Sequence, residues 1–312
     1  MNFTPLRITT LRPDIDIPFS LYIFFKEQYL EYLPPGGKLD SDKFIKLRKQ
    51  KLSKFFIADS DEETYQRFLD DLINNTLNSD EIDTEVKVDM LEGVTESTIE
   101  KLQKDPASEE NFNQTRKASQ NLQKLVFENN DALKEIFTKK SSLEPLIKHS
   151  LNVCVLAVKF AKSLRCKEEE IDFLSTAALM HDVGIVQLPE EDQELFKKNK
   201  KEYSPKEKAG FYKHTHEIVK MLRDKPYINS QIIQLIENHE ENRQGSGPNK
   251  LKKLTKPIEI LSLVNTYDKK RLSSGKSAAE SIQEMMIDEM GNYELSMLQD
   301  FKKLLKSEGL ID

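Results

Sequence analysis

The chain has 312 residues, of which 47 are basic and 53 acidic, for a formal net charge of −6; 38% are hydrophobic, including 16 Phe and 9 Tyr. That length predicts two domains, and the apolar and aromatic content excludes a wholly disordered chain. The acidic balance excludes a generally basic binder of nucleic-acid polymers. With no apolar stretch near the ~20 residues that span a bilayer, and no basic-then-apolar leader, a cytoplasmic protein without a membrane partner is expected.

Ser20 to Phe25 (SLYIFF) is apolar and β-prone, and KEQYLEYL continues with partial alternation until Pro34, Pro35, Gly36 and Gly37 break it, which predicts a hairpin or paired strands. Asp40 to Asp42 offers caps for a short helix (KFIKLRKQ), Phe55 to Ala58 reads as a strand, and Asp59 to Ile73 as an amphipathic helix. Residues 1–80 thus form a small α/β module without an acid, base or metal cluster. It is expected to be regulatory, or to dimerise through exposed strand edges or receive a protein partner. High polarity between Asn74 and Asn111 marks a linker or loosely held helices, and 81–140 is read as linker plus connecting helix.

From Gln114 the text is helical, with Leu122, Leu125, Val126, Leu133, Ile136 and Phe137 on one face. Helices are predicted over Ser142 to Leu164, Glu168 to Met180, Pro205 to Arg223, Ile228 to Glu237, Pro257 to Tyr267, Ala278 to Met290 and Glu294 to Ser307. The fold class is α+β overall, with an all-α bundle over 141–312. Cys154 and Cys166 are too few and too far apart for a disulfide framework or zinc knuckle, and are expected to be buried fillers.

All five histidines (His149, His181, His214, His216, His239) fall between residues 149 and 239, four of them on or at the end of a different predicted helix. Helical bundles build metal sites this way, one or two inward ligands per helix. The pair His181-Asp182 follows an apolar series and precedes Gly184, so it sits at a buried helix end. There a carboxylate with two oxygens can also bridge two metals.

These residues resemble the HD-GYP branch of the HD-domain metal phosphohydrolases over roughly Leu146 to Ser281. His149 matches the first-helix histidine, HDVGIVQLP (His181 to Pro189) the HD motif, YSPKE with His214 the next, NHEENRQGSGP (Asn238 to Pro248) the motif that names the group, and LVNTYD (Leu263 to Asp268) the closing segment. His216 falls outside the pattern. The resemblance implies an HD-type helical domain over 141–312 and two metals, iron or manganese, that activate water against a phosphodiester of cyclic di-GMP. One metal would take His149, His181, Asp182 and Asn265; the other Asp182, His214, Asn238 and His239. Asp182 is the residue expected to be central to catalysis.

Several matching positions depart from the pattern. Ile185 replaces the lysine of HD-x-G-K, Asn238 the first of two adjacent histidines, and Asn265 a metal-binding aspartate, while Gly245 to Pro248 keeps the turn without its tyrosine. An amide oxygen is a weaker ligand than a carboxylate for a hard cation. With Asp182 as the one carboxylate, a dinuclear M²⁺ pair would keep about three uncompensated charges. Glu240 reads as structural, and Asp268 either reaches the site or fixes a ligand's second nitrogen. Residues 243 to 276 carry nine basic side chains against Glu259 and Asp268. Within that cluster Arg243 and Lys250, with Asp268, are the candidate ligand-binding residues for a cyclic dinucleotide. The expectation is a divergent HD-GYP-like protein of cyclic di-GMP-type signalling with weak or lost hydrolysis that acts by binding a ligand or protein. The alternative is an active metal-dependent phosphodiesterase.

Overall fold

A computed structural model describes residues 2–50, 52, 54–139, 141 and 143–312, and its backbone divides between Ser97 and Thr98 into two units. In the first, β1 (Phe3–Arg7), β3 (Leu21–Phe25), β4 (Gln28–Leu33) and β6 (Lys54–Ala58) form an antiparallel sheet of order β1-β6-β3-β4, and β2 (Asp16–Ile17) pairs with β5 (Gly37–Lys38). The expected hairpin is β3–β4. Lys26 (φ 48°) and Glu27 (φ 62°) both take the left-handed conformation that a two-residue turn requires. Side chains alternate across the sheet: Leu21, Phe55 and Ile57 are buried, whereas Phe24 is 53% exposed and joins Phe3, Tyr29 and Phe56 in a ladder of rings. Helices α1 (Ser41–Lys49) and α2 (Glu62–Leu77) follow, and Phe19 meets Tyr65 and Phe68 of α2 edge-on.

The polar stretch after Asn74 is largely helix: α3 (Thr84–Lys104) runs across the division and buries Val88, Leu91, Ile99 and Leu102. The second unit is helical throughout. It comprises α4 (Glu109–Glu128), α5 (Ala132–Thr138), α6 (Pro145–Ser163), α7 (Glu168–Met180), α8 (Glu190–Gln193), α9 (Pro205–Phe211), α10 (Lys213–Leu222), α11 (Ser230–Asn238), α12 (Lys256–Ser274), α13 (Ala278–Asp288) and α14 (Leu295–Ser307). The fold class is α+β. Ser142, the expected start of the first bundle helix, lies outside the described residues.

Helix α6 is buried all round through its middle, as a central rod must be: every residue from Ser150 to Val158 is buried, and it packs on α4, α7 and α12. The helix expected over Pro205 to Arg223 is two, because the chain breaks at Tyr212 and restarts as α10. The helix ending at Tyr267 runs on to Ser274, where Gly275 at φ 64° stops it. Among the described residues no helix is long and apolar enough to cross a membrane.

Gly184 fixes how closely α10 approaches the end of α7. A Cβ there would lie 2.3 Å from the backbone oxygen of His214 and 3.2 Å from Cβ of Ile218. Gly184→Ala is therefore expected to cost about 1–3 kcal/mol, the usual range for overpacking against backbone. The urea midpoint measures it, and an unchanged midpoint refutes the tight approach.

Candidate metal centre

The last carbonyls of a helix have no partner within the helix. Here three histidines supply one. His181, at the C-cap of α7, donates from Nδ1 to the Ala178 oxygen (2.7 Å), and His239, at the C-cap of α11, donates to Ile236 (2.7 Å). His214, in the first turn of α10, donates back to Phe211, the last residue of α9 (2.6 Å). Each bond places the proton on Nδ1, so the neutral ring carries its lone pair on Nε2. Burial pushes His181 down to about 3 and lowers His214 as well, which keeps those rings neutral at pH 7. The C-termini of α7 and α11, each the negative end of its macrodipole, therefore face one point, while at His214 the end of α9 meets the start of α10. His149 of α6 is held from elsewhere, with Nδ1 on Oδ2 of Asp268 (2.9 Å).

Asp182, fully buried, stands between the rings. Its Oδ1 lies 3.2 Å from His214 Nε2 and 3.3 Å from His239 Nε2, and its Oδ2 lies 3.4 Å from His181 Nε2 and 3.5 Å from His149 Nε2. The Nε2 atoms themselves approach pairwise, 3.3 Å between His149 and His181 and 3.1 Å between His214 and His239. Neither Asp182 oxygen has a hydrogen-bond donor. Four lone pairs and a carboxylate facing one another without a proton are costly in a dry interior, and cations between them would remove the conflict. The donor set thus fits a metal, with one carboxylate oxygen turned to each half-site.

Each half-site has a further donor. Asn265 places Oδ1 2.9 Å from His149 Nε2, and its orientation is fixed because Nδ2 donates to Glu240 Oε1 (3.3 Å). Glu240 is part of the His214–His239–Asp182 group, with Oε1 3.8 Å from His239 Nε2, and its other oxygen pairs with Lys200. Burial alone would raise the Glu240 carboxyl, but the Lys200 and Lys269 ammonium groups hold it well below the usual range. For Asp182, too, burial would raise the carboxyl, and the Lys269 ammonium works against it. The groups present are therefore His149, His181, Asp182 and Asn265 on one side, and Asp182, His214, His239 and Glu240 on the other.

Three expected residues stand elsewhere. The Asn238 amide is engaged away from the centre. Adjacent residues on a helix point about 100° apart, and with His239 facing the centre the Asn238 amide bonds to the Gln234 carbonyl (2.8 Å) and to Asn249 Nδ2 (3.1 Å). Glu240, read from sequence as structural, stands in the cluster instead, since the chain leaves α11 there. The only forewarning was its position next to His239. Arg243 is spent on a two-point pair with Glu259 (2.7 and 3.0 Å) and a further pair with Glu294, so it is not free for a ligand. Lys250 is exposed at φ 56° and, among the described residues, its side chain has no hydrogen bond or ion pair.

Asp268 accepts from His149 Nδ1 (2.9 Å) and from Asn152 Nδ2 and Arg271 (both 3.1 Å). Burial would raise its carboxyl, and His149 and Arg271 bring it below the usual value. Of these groups Glu240 reaches the wall of a cavity of about 360 Å³, which it lines with Lys200, Tyr203, Tyr212 and Tyr293. A second cavity of about 410 Å³ shares Lys208, Tyr212 and Ser246 with it.

A family model described as HD domain matches residues 133–294. Among solved structures, Bd1817, an HDG"Y"P protein from Bdellovibrio bacteriovorus, superposes with a TM-score of 0.77 over 98% of this chain and 100% of its own, at 24% identity. At that identity the likeness is one of fold. No curated protein matches the chain.

Two outcomes follow from the geometry. Asp268→Asn is expected to weaken metal binding 10- to 100-fold, the usual effect of removing a ligand's outer partner, in a chelator-competition titration. The stability of the metal-free protein should fall on acidification. His181 is depressed in the folded state, so between 6.5 and about 3 the unfolded chain binds the extra proton; its contribution is full above 6.5 and is lost as pH falls below it. Unfolding free energies from urea titrations between pH 7 and 5 should drop with a limiting slope of about 1.4 kcal/mol per pH unit. A flat profile would show that these rings are already charged.

Proposed function

This chain belongs to the HD-domain family, and we propose that it is a metal-dependent phosphodiesterase acting on a cyclic di-GMP-type dinucleotide. The observation that carries this reading is the Asp182 carboxylate, buried without a donor between two pairs of imidazole lone pairs. A pair of divalent cations, iron or manganese by the family resemblance, supplies Lewis acidity and makes water a nucleophile near neutral pH. Asp182 would be shared, His149, His181 and Asn265 would hold one cation, and His214, His239 and Glu240 the other. Glu240 brings the formal negative charge to two, so about two charges of a dinuclear pair remain to be met by the phosphodiester and the nucleophile. The neutral rings orient through their capping bonds. Lys200 and Lys208 on the cavity wall favour an anionic substrate, and Tyr212, shared by both cavities, offers a ring for a base.

A second reading, ligand binding without turnover, is favoured by Ile185. It is 2% exposed in an apolar cluster where the family resemblance expects a phosphate-orienting lysine. The N-terminal sheet suits self-association, since β4 is an edge strand and Phe24, Phe25 and Leu30 beside it are exposed.

Elemental analysis of the purified protein with a cyclic di-GMP cleavage assay tests the main reading. About two metal equivalents with turnover are expected, and Glu240→Gln should lose one equivalent and at least tenfold in kcat. Full metal with nucleotide bound and no cleavage selects the second reading; a metal-free protein that binds none when supplied refutes the first.

A further inference from the structure

Outside the donor set, one buried charged group among the described residues of this unit lacks a hydrogen-bond or ion-pair counterpart. Lys269 of α12 is 3% exposed, and its Nζ has neither a hydrogen-bond partner nor, among the described residues, a carboxylate in ion-pair range. The ammonium lies 3.8 Å from the ring centre of Phe211 and 5.1 Å from that of Phe196. Ring faces attract a cation, but they offset only part of what it loses on leaving water. Burial lowers the amine to about 8, with Lys200 adding to that effect and Asp182 and Glu240 opposing it, so the group is still protonated at pH 7.

Phe196 and Phe211 belong to the same buried cluster as Ile185. The position that the resemblance assigns to a lysine is therefore hydrocarbon, and the cation over that cluster's rings arrives from α12 instead. Lys269 also lines a small cavity whose wall shares Lys200, Lys201 and Thr266 with the larger one onto which Glu240 opens. A buried ammonium beside a metal centre is repelled once cations load, unless an anion lies between them.

We propose that Lys269 is a phosphate-binding residue of the metal centre, reaching from α12 the ligand that Ile185 cannot contact. The inference rests on the reading of the site as a metallophosphohydrolase. The missing partner of Nζ is then a non-bridging oxygen of a phosphate ester or inorganic phosphate, and Lys269 stays unpaired in the ligand-free protein because its partner is the ligand.

Manganese-loaded full-length protein titrated calorimetrically with inorganic phosphate tests this, with metal content measured by mass spectrometry and turnover followed on bis(p-nitrophenyl) phosphate. K269M is expected to keep its manganese and melt no lower than the parent, while phosphate affinity and kcat/KM each fall at least tenfold. K269R should retain part of the phosphate binding, and adding I185K to K269M should return it. Should K269M fold poorly, K269Q gives the same comparison. Phosphate affinity within twofold of the parent in a fully loaded variant overturns the proposal, as does loss of manganese from K269M, which would make Lys269 structural. A parent that takes up no manganese overturns the metal reading itself, and this inference with it.

Discussion

A carboxylate with no donor on either oxygen, enclosed by imidazoles whose protons all point outward, is the constraint on which the rest of the helical unit depends. Protein interiors pair their buried charges or leave them out, because desolvation is expensive. Asp182 does neither within its own chain. Around it α6, α7, α9, α10, α11 and α12 bring their ends or faces to one place, and the close approach permitted by Gly184 lets α10 deliver His214. The packing is intelligible as a means of holding lone pairs together that would otherwise repel.

The two halves of the centre are not independent. Asn265 faces one half with its oxygen only because its amide nitrogen is held by Glu240, which belongs to the other. Lys200 in turn holds the second oxygen of Glu240. A single amide thus converts the position of a carboxylate on one side into the donor presented on the other, which is how a neutral residue can serve where a charged ligand is expected.

Much of this was legible from residues. Histidines at the ends of apolar helical runs, confined to one stretch of sequence, announce an inward cluster, and the structure brings His149, His181, Asp182, His214, His239 and Asn265 together. Glu240 and Lys269 were not legible. The first depends on the direction the chain takes after α11 ends at Asn238, and the second on a long side chain lying across two rings contributed by distant turns. The break at Tyr212 is not legible because the apolar spacing runs through it. Strand β1 was missed because it contains Pro5, tolerated since β1 is an edge strand, and because it pairs with β6 some fifty residues away. The pairing of Arg243 was not legible either, because a run of basic residues does not reveal that Glu259 and Glu294 lie within reach.

Three of the four imidazoles complete helices as well as face the centre. A ring that finishes a helix has an architectural reason to persist in a descendant whose chemistry has lapsed, so the number of histidines in a chain of this shape measures scaffold as much as activity. The Asp182 side chain finishes nothing: neither of its oxygens accepts a backbone proton or caps the turn that follows. Its retention is the sharper diagnostic, because a protein that had abandoned cations would be relieved by any small neutral side chain at that position.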